Sequence, residues 1–243
     1  MSENRNFSVL MSVYIKENPA FLEEAVESIL HQKLQPSEVV IVEDGPLTPE
    51  LYQVLEKLEA QSSIPIKRCP LVQNRGLGLA LQFGVLQCQY DVIARMDTDD
   101  IAVEDRFEQQ FELMEKENLD LLGGHIAEFI DQPDEIVSYR RVPTKHEDIV
   151  AYQRMRSAFN HMTVMFKRKM VLKAGNYEDG LYMEDDLLWL NMISAGARTG
   201  NVDQILCKVR VGAGMFERRG GLRYLKLYRQ ARKRMHARGQ ISY

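Results

Sequence analysis

Apolar positions along the first hundred residues follow two alternating periods. Continuous apolar runs at Phe7–Tyr14, Glu38–Val42, Ile66–Val72 and Val92–Met96 have the length and β-branched content of buried strands. Between them the spacing becomes helical. Leu22, Ala25, Val26, Ile29 and Leu30 fall at i, i+3, i+4, i+7 and i+8, Leu51, Val54, Leu55 and Leu58 repeat the stripe, and Ala80, Leu81, Gly84, Val85 and Cys88 supply another. Asn18-Pro19 and Thr48-Pro49 precede the first two stripes, each a capping side chain followed by a proline suited to the first helical position. Strands alternating with helices imply right-handed crossovers. The predicted class is therefore α/β, with a Rossmann-like, mostly parallel sheet and helices on both faces.

Past residue 100 the pattern loosens. A helix is predicted from Asp105 to Glu117, an apolar strand pair containing Gly123-Gly124 from Leu119 to Ile130, and a strand from Met162 to Phe166. A short helix from Arg168 to Ala174, closed by Gly175, and another from Asp185 to Ala195 follow, while Pro133, Pro143 and Met155 to Asn160 mark loops. With no repeat and no low-complexity linker, the simplest organisation is a single domain over residues 1–215 and a tail at 216–243.

Composition changes this picture in two respects. No apolar run approaches the roughly 20 residues that span a bilayer, and Met1 to Ser8 lacks the apolar stretch of a signal peptide, which predicts a cytoplasmic protein. Cys69, Cys88 and Cys207 are far apart in apolar settings, as reduced core thiols would be. The net charge of −4 hides a polarity: from Phe216 onward nine Lys/Arg face one acid, a local +8 that leaves −12 for the rest. Gly221 to Ala237 predicts a helix with Leu222, Leu225, Tyr228, Ala231 and Met235 inward. Its basic face either stays solvated or meets an anionic lipid surface. Nucleic acid is not indicated, because Tyr224 and Tyr228 are the tail's only interleaved aromatics.

Candidate chemistry gathers at strand ends, where open α/β sheets hold ligands. The fourth strand stops on Asp97-Thr98-Asp99-Asp100, and acids at i and i+2 of a turn can both face a hard divalent cation that phosphate oxygens also hold. The competing use is local: Asp97 closes a turn and Thr98 or Asp100 caps a helix. Tyr14, Glu43-Asp44 and Asn74-Arg75 end the first three strands and combine a ring, a carboxylate and a guanidinium suited to a flat base and its phosphates. Gly76-Leu77-Gly78 partly matches a dinucleotide fingerprint, with Asp97 about 20 residues further on, but Leu81 replaces the last glycine and the turn is not the first. Tight turning and close helix packing explain those glycines better. Finally, Tyr182-Met183-Glu184-Asp185-Asp186 places three acids at a helix start that one would cap, freeing another to act as a general base.

Taken together, Val9–Tyr14, Glu43-Asp44-Gly45, Asn74–Leu77, Arg95–Asp100 with Arg106-Phe107, His161–Phe166 and Glu184-Asp185 with Leu188-Trp189 resemble the family-2 inverting glycosyltransferases of GT-A fold. The likeness is greatest to bacterial enzymes that build surface polysaccharide and lipid-linked oligosaccharide. It implies that residues 1–100 are a nucleotide-binding half and 101–215 an acceptor-side half. Asp44 would contact the uracil of a UDP-sugar, with Tyr14 beside it, Arg75 nearby, and Glu43 where many relatives carry a second Asp. Asp97 and Asp99 would be the D-x-D acids for Mn2+ or Mg2+, Asp99 as the direct ligand and Asp97 supporting metal or ribose. Asp185 would be the catalytic base. Asp100, His161, Glu184 and Trp189 fall on the sugar and acceptor side, and Arg210 with the loop after it would close over the pyrophosphate. The donor would carry a hexose or N-acetylhexosamine. The acceptor would be a saccharide, lipid-diphosphate-linked, met at the inner face of the plasma membrane through the basic tail. Two other classes compete: a non-catalytic nucleotide-sugar-binding module, which needs Asp97 and Asp99 but not Asp185, and a nucleotide-cofactor oxidoreductase using the Gly76/Gly78 loop.

Overall fold

The computed structural model describes residues 5–179, 183–212 and 221–242. Tyr182, the 215/216 boundary, the loop after Gly212 and the Leu222 side chain lie outside what it describes. Every strand–helix unit expected in the first hundred residues forms: β1 (Phe7–Val13), α1 (Pro19–Leu30), β2 (Glu38–Glu43), α2 (Pro49–Gln61), β3 (Ile66–Pro70), α3 (Leu77–Gln87) and β4 (Val92–Arg95). The Asn18 side chain accepts from the Ala20 N–H and that of Thr48 from the Leu51 N–H, satisfying donors that a first helical turn leaves free. The strands lie in the order β3-β2-β1-β4, all parallel. Strand order therefore reverses between β1 and β4, and the crevice at their C-terminal ends lies between Tyr14 and Asp97.

The sheet continues into the second half through β8 (Met165–Lys167), β6 (Leu121–Phe129), β9 (Thr199–Arg210) and β5 (Ile101–Ala102), with β7 (Ile136–Arg140) on the side of β6. Pairings β4–β8, β6–β8, β6–β7 and β5–β9 are antiparallel, while the long β6–β9 ladder is parallel. Around it lie α4 (Arg106–Glu117), α5 (His146–Gln153), α6 (Arg168–Lys173) and α7 (Glu184–Ser194). Alternate residues of β1 feed two cores. Phe7, Val9 and Met11 pack with α1, α2 and α4, and Leu10 packs with α3, Phe166 and Trp189 on the other face. The three cysteines are buried and free.

Two sequence expectations change, and two strands carry no signal that the sequence pattern shows. Leu119 to Ile130 is one strand rather than a pair, because Gly123-Gly124 run straight through it: the Gly124 N–H donates to Thr163 Oγ1 at 3.1 Å and its carbonyl accepts from Asn160 Nδ2 at 2.8 Å. Met162 belongs to a 3-10 turn, His161–Thr163, so the strand begins only at Met165. The long strand β9 has no clear period in sequence, since its register against β6 slips around His125. Exposed β7 likewise lacks a buried face to impose alternation.

The C-terminal helix α8 (Gly221–Ala237) buries Ala231 and Met235, with Ile241, against Leu187 and Leu190 of α7. Arg238 pairs with Glu178 at 2.6 Å and Arg234 donates to the Asp179 carbonyl at 2.8 Å. Leu225, predicted inward, is instead 42% exposed, because the docked stripe runs through Ala231 and Met235 on another side of the helix. Among the described residues no helix is long and apolar enough to cross a membrane.

Candidate active site

The β2 side of the crevice is built by Asp44. Its carboxylate accepts from the Arg75 N–H at 2.7 Å and the Gly76 N–H at 3.0 Å, and its carbonyl accepts from Asn74 Nδ2 at 3.1 Å. One acid thus ties the start of α3 to the end of β2, with half-buried Tyr14 and exposed Arg75 nearby at strand and loop ends. Gly45 makes the approach possible: its φ is +88°, and a Cβ there would sit 2.6 Å from the Asn74 nitrogen. Gly45→Ala is expected to cost about 1–3 kcal/mol in urea unfolding; unchanged stability would mean the loop relaxes freely. Glu43 does not join Asp44 at the crevice. It is buried and accepts from Arg68 Nε at 2.6 Å, because successive residues along a strand end point to opposite sides.

At the end of β4 one carboxylate oxygen from each of Asp97, Asp99 and Asp100 lies within 4.8 Å of the other two. Asp97 is held by both terminal nitrogens of Arg95, with Nη1 at 2.6 Å, and the Arg95 side chain is almost fully buried. Arg106, itself buried, donates from Nη2 to the Arg95 carbonyl at 2.7 Å and from Nε to Gln110 at 3.0 Å, fixing the strand end from behind. The Thr98 hydroxyl donates to Glu17 at 2.7 Å. Burial, then Asp97, then Glu17 push the Asp99 carboxyl up to about 7. One guanidinium thus pairs with Asp97, and its pull on Asp99 is outweighed by burial and the neighbouring acids. A set of hard oxygen donors with surplus negative charge fits a divalent cation such as Mg2+ or Mn2+. Sequence reasoning had left Arg95 without a role. The signal was present: an arginine inside a buried strand needs an acid, and Asp97, two residues on, points to the same face.

Two expected sugar and phosphate contacts are corrected here. Asp100 is buried, accepts from the Arg210 backbone N–H at 3.0 Å, and so secures the end of β9 rather than facing a sugar. The Arg210 guanidinium turns away to Glu24 at 2.6 Å, between the rings of Phe21 and Phe129 at 3.8 and 4.6 Å. Stacking and ion pairing together hold it in that position.

The opposite wall is the start of α7. A Cβ on Gly78 would lie 2.9 Å from the Glu184 Cβ and 2.6 Å from the Glu178 carbonyl, so α3 packs directly on this wall. That close approach accounts for the glycine without a dinucleotide. Asp186 is buried and accepts from Gln153 Nε2 at 2.6 Å, and the Asp186 N–H donates to the Asp185 carboxylate at 2.8 Å. Burial, then Asp186, then Glu184 raise Asp185 to about 8; burial also raises Glu184. Arg95 opposes both shifts, and the Asp97 charge is felt at Glu184, so both walls share one electrostatic neighbourhood centred on Arg95. His161 Nε2 lies 2.9 Å from the Tyr177 hydroxyl, and burial and Arg95 hold the imidazole well below its ordinary value, hence neutral. Trp189 is not an acceptor contact. It is fully buried among Phe159, Phe166 and Tyr177, with His161 edge-on at 5.8 Å, and serves as the floor beneath the site.

Comparison with known proteins places this geometry. Residues 8–174 match the family model Glycosyl transferase family 2. An uncharacterized glycosyltransferase of Haemophilus influenzae is 46% identical over 221 residues, covering 90% of this chain and 81% of that protein. The Escherichia coli protein named UDP-Gal:alpha-D-GlcNAc-diphosphoundecaprenol beta-1,3-galactosyltransferase is 36% identical over 238 residues, covering 98% of this chain and 86% of its own length. Among solved structures, S. aureus TarS 1-349 in complex with UDP-GlcNAc superposes with a TM-score of 0.68 at 17% identity, over 93% of this chain. The chain spans 65% of that structure, and the likeness shows a shared fold, the GT-A arrangement.

Proposed function

The chain belongs to glycosyl transferase family 2, and from that premise we propose a metal-dependent, inverting transferase that moves a hexose or N-acetylhexosamine from a UDP-sugar. The acceptor is a hydroxyl of a saccharide, lipid-diphosphate-linked, in surface polysaccharide synthesis. The observation that carries the reading is the division of acids around Arg95: Asp97 and Asp99 on one wall, Asp185 with its carboxyl raised to about 8 on the other. A divalent cation held by Asp97 and Asp99 would neutralise the diphosphate of the leaving UDP. Asp185 takes the proton of the acceptor hydroxyl as that oxygen attacks the anomeric carbon from the face opposite UDP. One displacement inverts the configuration. A carboxyl titrating near working pH suits a general base. The names of the E. coli relative, with its UDP-Gal, and of the UDP-GlcNAc complex support a uridine nucleotide, and the former supports a lipid-diphosphate acceptor.

A binding module without catalysis would have no use for a half-buried carboxyl raised to about 8 at Asp185. In a thermal-shift series, UDP with Mn2+ at about 100 times its Kd should stabilise the protein by about 2.7 kcal/mol, a rise of roughly 5–10 °C for a chain of this size. UDP without metal, and NADH with or without it, should give far smaller shifts. A full shift from NADH, or from UDP in the presence of a chelator, would overturn the reading.

A further inference from the structure

The helix that carries the proposed base has a face that both cores of the sheet leave out. Leu188, Trp189 and Met192 of α7 belong to the core shared with α3, whereas Met183, Leu187 and Leu190, at i, i+4 and i+7, form a separate apolar cluster. The other half of that cluster is Ala231, Met235 and Ile241, so the α8 tail covers this stripe. Met183 stands at the N-cap of α7 and offers no capping side-chain bond, so the start of the helix is not fixed locally. The tail's cations turn onto the chain just ahead of it. Arg234 donates to the Asp179 carbonyl at 2.8 Å, and Arg238, one residue past α8, holds both carboxylate oxygens of Glu178 at 2.6 and 3.0 Å. A guanidinium on a carboxylate in this two-pronged form fixes orientation as well as distance. Further along α7, Asn191 accepts from Gln240 Nε2 at 2.8 Å. The stretch before α7 is also held by α3, whose start Asp44 ties to the end of β2. Asn176 Nδ2 donates to the Gln82 carbonyl at 3.0 Å, Gln82 Nε2 donates to the Tyr177 carbonyl at 2.6 Å, and the Glu178 carbonyl lies 2.6 Å from where a Gly78 Cβ would be. Glu178 is thus wedged, its backbone against α3 and its carboxylate in Arg238.

We infer that the α8 tail is a clamp on the base wall and that Arg238 is a positioning residue for Asp185, acting through Glu178 and α7. Contacts run from Asp44 through α3 to Glu178, and from Glu178 through Arg238 and α8 to the stripe of α7 that carries Met183 at its start. The wall bearing Asp185 is thereby set relative to the end of β2 on the other side of the crevice. Transfer requires that registration, because the base must meet the acceptor hydroxyl while the opposite wall holds the donor, and misplacing a reacting group by about 1 Å costs up to about 10²-fold in rate. The catalytic purpose rests on Asp185 being the base, as proposed above; the clamp itself does not.

Two measurements on the full chain test it. In amide hydrogen exchange, Arg238→Gln should speed the first turns of α7 roughly fivefold, as loss of a partly exposed ion pair allows, while β1 and β4 exchange as in the wild type. With UDP-galactose or UDP-N-acetylglucosamine and Mn2+, standing for the two donor classes proposed above, the same variant should lower kcat about 5- to 10-fold at an unchanged donor KM, with the UDP–Mn2+ thermal shift retained. Arg238→Lys, a point charge without the fork, should fall between the two. Glu178→Arg combined with Arg238→Glu remakes the pair in reverse and should recover most of the loss in both measurements. Unaltered α7 exchange or unaltered kcat in Arg238→Gln overturns the inference, as does a fall in kcat accompanied by loss of the UDP–Mn2+ shift. A reversed pair that folds yet stays as open and as slow as Arg238→Gln overturns it too, and if Arg238→Gln does not fold, the Lys variant and the reversed pair decide by the same measures. Loosening of α7 in a protein that transfers no sugar, or whose Asp185→Asn variant transfers normally, leaves the clamp standing and removes the proposed reaction or its base instead.

Discussion

Asp185→Asn should reduce sugar transfer by about 10²- to 10⁴-fold while leaving Mn2+-dependent UDP binding intact, because the amide keeps the shape but cannot take the acceptor proton. In the wild type kcat/KM should rise with pH and level off above about 8, as the carboxyl that burial, Asp186 and Glu184 raise becomes ionised. The same shift acts on folding with a definite sign. Asp185 titrates near 8 in the folded protein against an ordinary 3.8, so the native state holds a proton that the unfolded chain has released. Its contribution to stability is present below the unfolded value and is lost as pH rises toward 8. Asp185→Asn should therefore be more stable than wild type at pH 8 without ligand, and less sensitive to pH, in urea titrations. A variant that loses UDP binding together with transfer would remove Asp185 from the base role. One that transfers sugar normally would do the same.

Asp97→Asn and Asp99→Asn should part company, although both acids belong to the D-x-D pattern. The first leaves the buried Arg95 guanidinium without its two-pronged partner and should cost about 3 kcal/mol, toward the low end for a broken buried pair because the Asp97 side chain is 28% exposed. The second removes a carboxylate that Asp97 and Glu17 repel, so stability without metal should hold or rise. Both should weaken Mn2+ binding by calorimetry. Equal destabilisation by the two substitutions would mean that Arg95 does not single out Asp97.

How much of this was legible in the sequence differs from residue to residue. Asn18 and Thr48 cap the helices they were assigned, since a cap is set by neighbours two or three positions away. Asp97, Asp99, Asp44, Glu184 and Asp185 were placed at strand and helix ends by periodicity alone, and those ends meet around one crevice. The strand Thr199–Arg210 escaped notice because its partner ladder shifts register, which no local period records. Trp189 and Arg210 were misjudged for another reason. An aromatic ring or an arginine near a site suits either contact or packing, and only the surroundings choose: four aromatic neighbours enclose the first, and Glu24 with Phe21 and Phe129 captures the second.

The sequence by itself determined the β/α alternation, the helix starts and the acids at the sheet's ligand-bearing edge. All of these follow from side-chain period and short-range hydrogen bonding. Only the tertiary structure decided that Arg95 pairs with Asp97, that Glu43 belongs to Arg68 and Asp100 to the end of β9, and that the surroundings of Asp185 raise it to about 8. A carboxylate's charge state depends on burial and on partners brought from distant parts of the chain, and neither exists until the sheet has assembled.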